Sequence, residues 1–231
     1  MNHTDRLSLH EEILLLALRG EEGTIAAGTT YQHALGAAIV AELLLRDRLA
    51  VSDPEGKKLA EVIDRKSTRD ALLDECLEQI AADHKPRPLA HWVGKFAGIK
   101  GLKHRVAERL CECGILREEE GKVLIVFTRR IYPETDPRPE QAIVERLRRA
   151  VMTDARDVGP RTVVLVSLTN ATGILKQVFD KKELKERAGR IEQVINGELV
   201  GKAARDAVQA MQAAVMVAAI MPAVITTSTS R

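Results

Sequence analysis

The sequence predicts a mainly α-helical, single-domain protein, and three observations carry that expectation. Apolar residues recur at helical spacing, most clearly at Leu72, Leu73, Cys76, Leu77 and Ile80. Hydrophobic residues make up 45% of the 231 residues but aromatic residues only 3%, so the core must be aliphatic, and the chain is long enough to bury one. Strand-like stretches are short and bounded by turn residues, as at Ser52-Asp53-Pro54-Glu55-Gly56.

The elements follow in chain order. Ser8 followed by Glu11 has the form of a capping box, so a helix begins there and runs to Leu18, apolar almost all round. Gly20 and Gly23 end it. Thr29–Arg46 reads as an Ala- and Leu-rich helix in which Gly36 points to close helix packing. Strands at Arg48–Val51 and Lys58–Ile63 flank the turn. A helix at Thr68–Asp83, a linker at His84–Pro88 and a short helix at Leu89–Phe96 with the only tryptophan, Trp92, come next. Gly98 and Gly101 bracket a loop, and a helix at Lys103–Cys113 ends at Gly114.

Two strands, Ile115–Leu116 and Val123–Phe127, are expected around the polar turn Arg117–Lys122, with Glu118–Glu120 as an acidic tip. A loop with Pro133, Pro137 and Pro139 leads to helices at Glu140–Thr153, Arg161–Ala171, Gly173–Phe179, Lys181–Ile195 and Lys202–Ile220. Ala213–Ile225 is uncharged, but it is shorter than the ~20 residues a membrane span takes and holds Pro222, so it reads as a buried helix. Residues 1–6 form a short tail, 7–225 the domain, and 226–231 a frayed end.

Composition narrows the function. A net charge of +2 is too small to imply a polyanion partner, and few aromatics are available to stack bases. No basic-then-apolar leader is present, and the three cysteines, Cys76, Cys111 and Cys113, suit a reducing, cytoplasmic setting. Cys111-x-Cys113 offers two ligands where zinc takes four, so no metal is expected. No phosphate-binding glycine loop, nucleophile elbow or HExxH motif occurs, and the histidines are scattered. The reading is a protein that is not an enzyme, with no catalytic residue and no cofactor.

Two basic groups remain. Lys95, Lys100, Lys103, His104, Arg105 and Arg109 lie beside the glycine-bracketed loop, where backbone N–H groups could approach an anion. Arg146, Arg148 and Arg149, with Arg129, Arg130 and Arg138 before them, form the second group; pairing with Glu134, Glu140 and Glu145 is its plainer reading.

Several segments, in their order and spacing, resemble the Golgi phosphoprotein 3 family. They are LSLHEEILLLAL at Leu7–Leu18, ELLLRDRL at Glu42–Leu49, LLDE at Leu72–Glu75, Trp92, and the helix–Gly–Ile–Leu passage at Val106–Leu116. The resemblance runs over about residues 7–220 and suggests a short, bacterial-type member. It implies a central bundle of hydrophobic helices, amphipathic helices around it and a protruding β-hairpin. It also implies a non-enzymatic peripheral membrane module that binds anionic, phosphoinositide-type lipid head groups, phosphatidylinositol 4-phosphate in eukaryotic members. The family's pocket comprises a Trp, an Arg on the second helix and two arginines three apart before the hairpin helix. That pair falls on Lys100 and Lys103, with Arg105 beside them; the Trp position falls near Ala27 and Gly28, and the Arg position at Gly36. The family's arginine-bearing N-terminal arm has no counterpart before Leu7, so coat-protein binding through it is not expected.

The apolar run Val123–Phe127 is either buried between protomers or docked on the helical bundle, and the resemblance favours a homo-oligomer formed through the hairpin. Two rival readings are an oligomeric scaffold with a degenerate lipid site and a winged-helix-like nucleic-acid binder at residues 103–127. The near-neutral charge and the acidic tip count against the second, and no nucleic-acid partner is expected.

Overall fold

The computed structural model describes residues 7–26, 30–123 and 127–200, together with Val208 and Gln212; of residues 122, 123, 127 and 128 it describes the backbone alone. Ser8 adopts an extended backbone and donates its N–H to the Glu11 carboxylate at 2.7 Å, which starts α1, Leu9–Ala17. Every residue of α1 is buried, as expected of a helix apolar nearly all round. α2, Tyr31–Leu45, is buried from Ala34 to Leu43. α7, Pro160–Ala171, is buried from Thr162 to Thr169. These three helices touch one another and form the centre.

Gly36 sets how closely α2 meets α4, Leu89–Ala97. A Cβ there would lie 2.5 Å from the Val93 carbonyl oxygen and 2.8 Å from the Ala97 nitrogen, so no side chain fits. Helices with one apolar face surround the centre. α3, Ala71–Ala81, buries Leu72, Leu73, Cys76, Leu77 and Ile80. α5, Leu102–Glu112, buries Leu102, Val106, Ala107 and Leu110. α6, Arg138–Met152, buries Ile143, Leu147, Ala150 and Val151. Each leucine, isoleucine or valine among them contributes about 1.5–3 kcal/mol on burial. α8 (Leu175–Val178), α9 (Lys181–Glu186) and α10 (Ala188–Ile195) complete the described helices. The mainly α expectation holds.

The strands depart from expectation in three places. β1 (Leu18–Arg19) and β2 (Thr24–Ile25) form a small antiparallel hairpin where only a helix stop was expected. β3 (Leu49–Ser52) and β4 (Leu59–Val62) pair as expected, but β5 (Arg87–Pro88), inside the supposed linker, adds to β4. The third difference is register. β6 is Glu119–Val123 and β7 is Phe127–Ile131, with Val123 opposite Phe127. Glu119 and Glu120 therefore lie within a strand, opposite Ile131 and Arg130, and not at a tip. The connection is Leu124-Ile125-Val126, which lies outside the described residues, as do Ala27, Gly28, residues 1–6 and 226–231, and Ala213–Ile225. Of the expected helix Lys202–Ile220 only Val208 and Gln212 are described, both helical. The expected helix Lys181–Ile195 is broken at Arg187 into α9 and α10. Among the described residues no helix is long and apolar enough to cross a membrane.

A buried ionic knot ties the central helices together. Glu12 and Glu42 are essentially solvent-free. Arg161 of α7 bridges them, donating to Glu12 at 3.2 Å and to Glu42 at 2.9 Å. Arg146 donates to Glu12 at 2.6 Å, and Arg46 to Glu42 at 2.7 Å. Glu42 also accepts the Leu9 N–H at 2.8 Å, which caps α1 from another helix. Asp70, the N-cap of α3, accepts from the Ser8 hydroxyl and lies 3.3 Å from His10 Nε2. Burial alone would raise the Asp70 carboxyl, yet the His10 bond and charge, with bonds from Leu73 and Ser8, hold it well below the usual range.

Candidate functional site

The candidate site starts where α4 ends and α5 begins. Gly98 closes α4, and Gly101, in the left-handed region at φ 71°, opens α5 with no side-chain cap. The first-turn N–H groups of α5 and the positive end of its dipole therefore face this loop. Lys100 is exposed in the loop and forms no ion pair among the described residues.

Lys103 leaves the first turn of α5 and lies over the Tyr132 ring, with Nζ 5.7 Å from the ring centre. Its surroundings are cationic. Burial, and then the charges of Arg129 and Arg130 on β7, push the Lys103 ammonium below its ordinary value. Arg130 is held by Glu108 at 2.9 Å, whereas Arg129 forms no ion pair among the described residues. A site of crowded like charge favours an anion, which relieves the repulsion.

Tyr132 anchors this arrangement. It is fully buried, and its hydroxyl lies 2.7 Å from His104 Nδ1. Burial, with Glu118 nearby, pushes the phenol up to about 12, while burial and the charges of Lys103 and Arg130 push His104 down. Both directions favour a phenol O–H donating to an unprotonated Nδ1. The Tyr132 N–H donates to the Gly23 carbonyl at 3.0 Å. Gly23 has φ 61°, and a Cβ there would lie 2.3 Å from the Pro133 nitrogen. The β1–β2 turn thus braces Tyr132, and Tyr132 supports Lys103.

The three residues expected at the site do not converge. Lys100 and Lys103 share the α4–α5 junction, but Arg105 points to α3, where it pairs with Glu75 at 2.6 Å. Arg129, absent from the expected site, lies near Lys103 because β7 runs past α5. No sequence pattern marks it, since Arg129 shares its face of β7 with Ile131 two residues on. At Gly36, where the resemblance places an arginine, the α2–α4 contact leaves no room for one.

The second basic group is dispersed, and its partners differ from those expected. Arg146 goes to Glu12, Arg138 to Asp136 at 2.8 Å, and Arg130 to Glu108. Arg148 lies 5.1 Å from the Phe179 ring centre, and Arg149 forms no ion pair among the described residues. Glu134 and Glu140 instead face each other. Burial, and then the Glu140 charge, push Glu134 up to about 7. Cys111 and Cys113 are half-buried and exposed, and no group of three potential ligands is gathered among the described residues.

Comparison with known proteins agrees with this architecture. The family model described as Golgi phosphoprotein 3 matches residues 9–211. Vacuolar protein sorting-associated protein 74 of Eremothecium gossypii is 26% identical over 213 residues, covering 78% of this chain. The match covers 64% of that relative, so the chain spans less than two thirds of its length. Matched by the family model over most of its residues, from α1 to beyond α10, the chain belongs to the Golgi phosphoprotein 3 family.

Proposed function

We propose that the protein is a non-enzymatic peripheral membrane module that binds an anionic, phosphoinositide-type head group through Lys100 and Lys103, with Arg129 alongside. The observation that carries this reading is the crowding at Lys103. Its ammonium sits among like charges, with no carboxylate bonded to it among the described residues, at the open start of a helix. A phosphate there meets lysine point charges and free N–H groups together. Arg105, committed to Glu75, is left out of the binding set. Family membership supports this reading over a winged-helix nucleic-acid binder or a bare oligomeric scaffold. Phosphatidylinositol 4-phosphate at a cytoplasmic membrane face is the ligand the resemblance implies.

The hairpin register adds to the reading. The connection Leu124-Ile125-Val126 is apolar in sequence, and the neighbouring acidic residues lie back along β6. Such an end suits contact with lipid, or with a second copy of the chain through Val123–Phe127.

Co-sedimentation tests the ligand. Vesicles would carry phosphatidylinositol 4-phosphate, another anionic lipid at equal charge, or neutral lipid only. Selective binding to the first supports the proposal at full strength. Equal binding to both anionic vesicles, falling as salt rises, reduces it to a generic electrostatic surface. No binding to any vesicle overturns it.

A further inference from the structure

A second cavity is lined by residues that the surface around Lys103 does not use. Between α6 and the start of α7 lies a cavity of about 280 Å³, lined in part by Arg146, Arg149, Asp157, Gly159 and Thr162. Thr162 lines it while only 8% exposed, and its hydroxyl forms no hydrogen bond among the described residues. The other buried hydroxyls of α7 behave differently: Ser167 and Thr169 bond back to the carbonyls of Val163 and Leu165 at 2.8 Å. Thr162 thus turns an unpartnered hydroxyl onto the cavity, where a ligand oxygen can reach it.

The rest of the wall is cationic. Gly159 is the N-cap of the 12-residue α7 and offers no capping side chain; Pro160 has no N–H and the Thr162 N–H goes to the Gly159 carbonyl, so the dipole end adds a weak positive field. Arg146 gives one guanidinium nitrogen to Glu12 and leaves its buried Nε without a partner. Arg149 is exposed and forms no ion pair among the described residues. Behind them Arg190 of α10 donates to the Ala150 and Ala155 carbonyls, which fixes the wall. Asp157, on the wall, is the one opposing charge among the lining residues named.

We propose that this cavity binds a phosphomonoester group. Arg149 and Arg146 take its oxygens by charge-assisted hydrogen bonds, and the Thr162 hydroxyl donates from the side. Asp157 repels the dianion and holds the affinity down. The phosphate could be free or carried by a lipid; the chemistry recognised is the same.

Calorimetric titration of the full chain with inorganic phosphate tests the site, in a Lys103→Glu background so that the other basic surface contributes nothing. Saturable binding is expected. Arg149→Gln should weaken it by about tenfold and Thr162→Val by a few-fold, the range expected for one charged and one neutral hydrogen bond. Asp157→Asn should tighten it, and Arg148→Gln, which removes the cation over Phe179, should leave it unchanged. A second arm adds phosphatidylcholine vesicles with and without phosphatidic acid. Vesicle binding that Arg149→Gln abolishes supports a lipid-borne phosphate; phosphate binding without vesicle binding supports a soluble ligand. Absence of saturable phosphate binding in the Lys103→Glu protein, or binding indifferent to both Arg149→Gln and Thr162→Val, would overturn the site. Because Lys103 is already reversed, neither outcome depends on the proposed head-group surface.

Discussion

Glu12 and Glu42 are buried facing arginines, whereas Lys103 is half-buried facing arginines. The first arrangement is complementary and closed; the second is repulsive and open to solvent. A buried carboxylate is costly unless paired and hydrogen-bonded, so the first set of charges is committed to holding α1, α2, α6 and α7 in place. The second set stabilises nothing by itself. Its charges lower the energy of the molecule only when an anion arrives, which is what a binding surface requires.

The contrast makes the knot the place where substitution should do most damage. Arg161→Met leaves Glu12 and Glu42 short of their shared partner, and a loss of about 3–5 kcal/mol in urea unfolding is expected. A loss under about 1 kcal/mol would mean that water or Arg146 and Arg46 compensate. Gly36→Ala comes next. Its Cβ must displace the α4 backbone, at a cost of about 1–3 kcal/mol. Because α4 leads into the Lys100 loop, this change should weaken vesicle binding as well as stability, and so sharpens the boundary between the two regions.

Glu134 lies between them, on the segment that joins Tyr132 to α6. Its folded value of about 7 lies above the ordinary 4.5, so the folded state holds more protons between those limits. Stability from this group is greatest below pH 4.5 and falls as pH rises to about 7, then stays flat. With solvent screening allowed for, the fall should be about 1–2 kcal/mol. Glu134→Gln should remove that part of the slope when unfolding is measured at pH 5 and pH 7.5; an unchanged slope would show that burial and the neighbouring Glu140 do not raise it.

The helices were legible in the sequence because local signals agree with tertiary ones: Ser8 with Glu11 starts α1, and Gly114 closes the α5 region. The hairpin was not. The apolar run Val123–Phe127 looks like a strand but contains the connection, while the actual strand Phe127–Ile131 carries two adjacent arginines. β5 is two residues long and includes Pro88, which gives periodicity nothing to act on. At the site, the spacing of Lys100 and Lys103 was readable, but Arg129 reaches Lys103 only through the fold, and the commitment of Arg105 to Glu75 depends on α3. The knot did leave a trace. Glu42 stands alone among apolar residues from Leu35 to Leu45, and a lone carboxylate in such a helix needs a buried partner. Its partner, Arg161, is 119 residues away, which no local pattern reports.

The most direct test of the account pairs two readouts on one substitution, Lys103→Glu, measured for thermal unfolding and for sedimentation with phosphatidylinositol 4-phosphate vesicles. The expected result is that the fold is kept, because the new carboxylate faces Arg129 and Arg130, while vesicle binding is lost. Vesicle binding that survives the reversal with the fold intact would contradict the claim that the open, like-charged surface is where this protein meets its ligand.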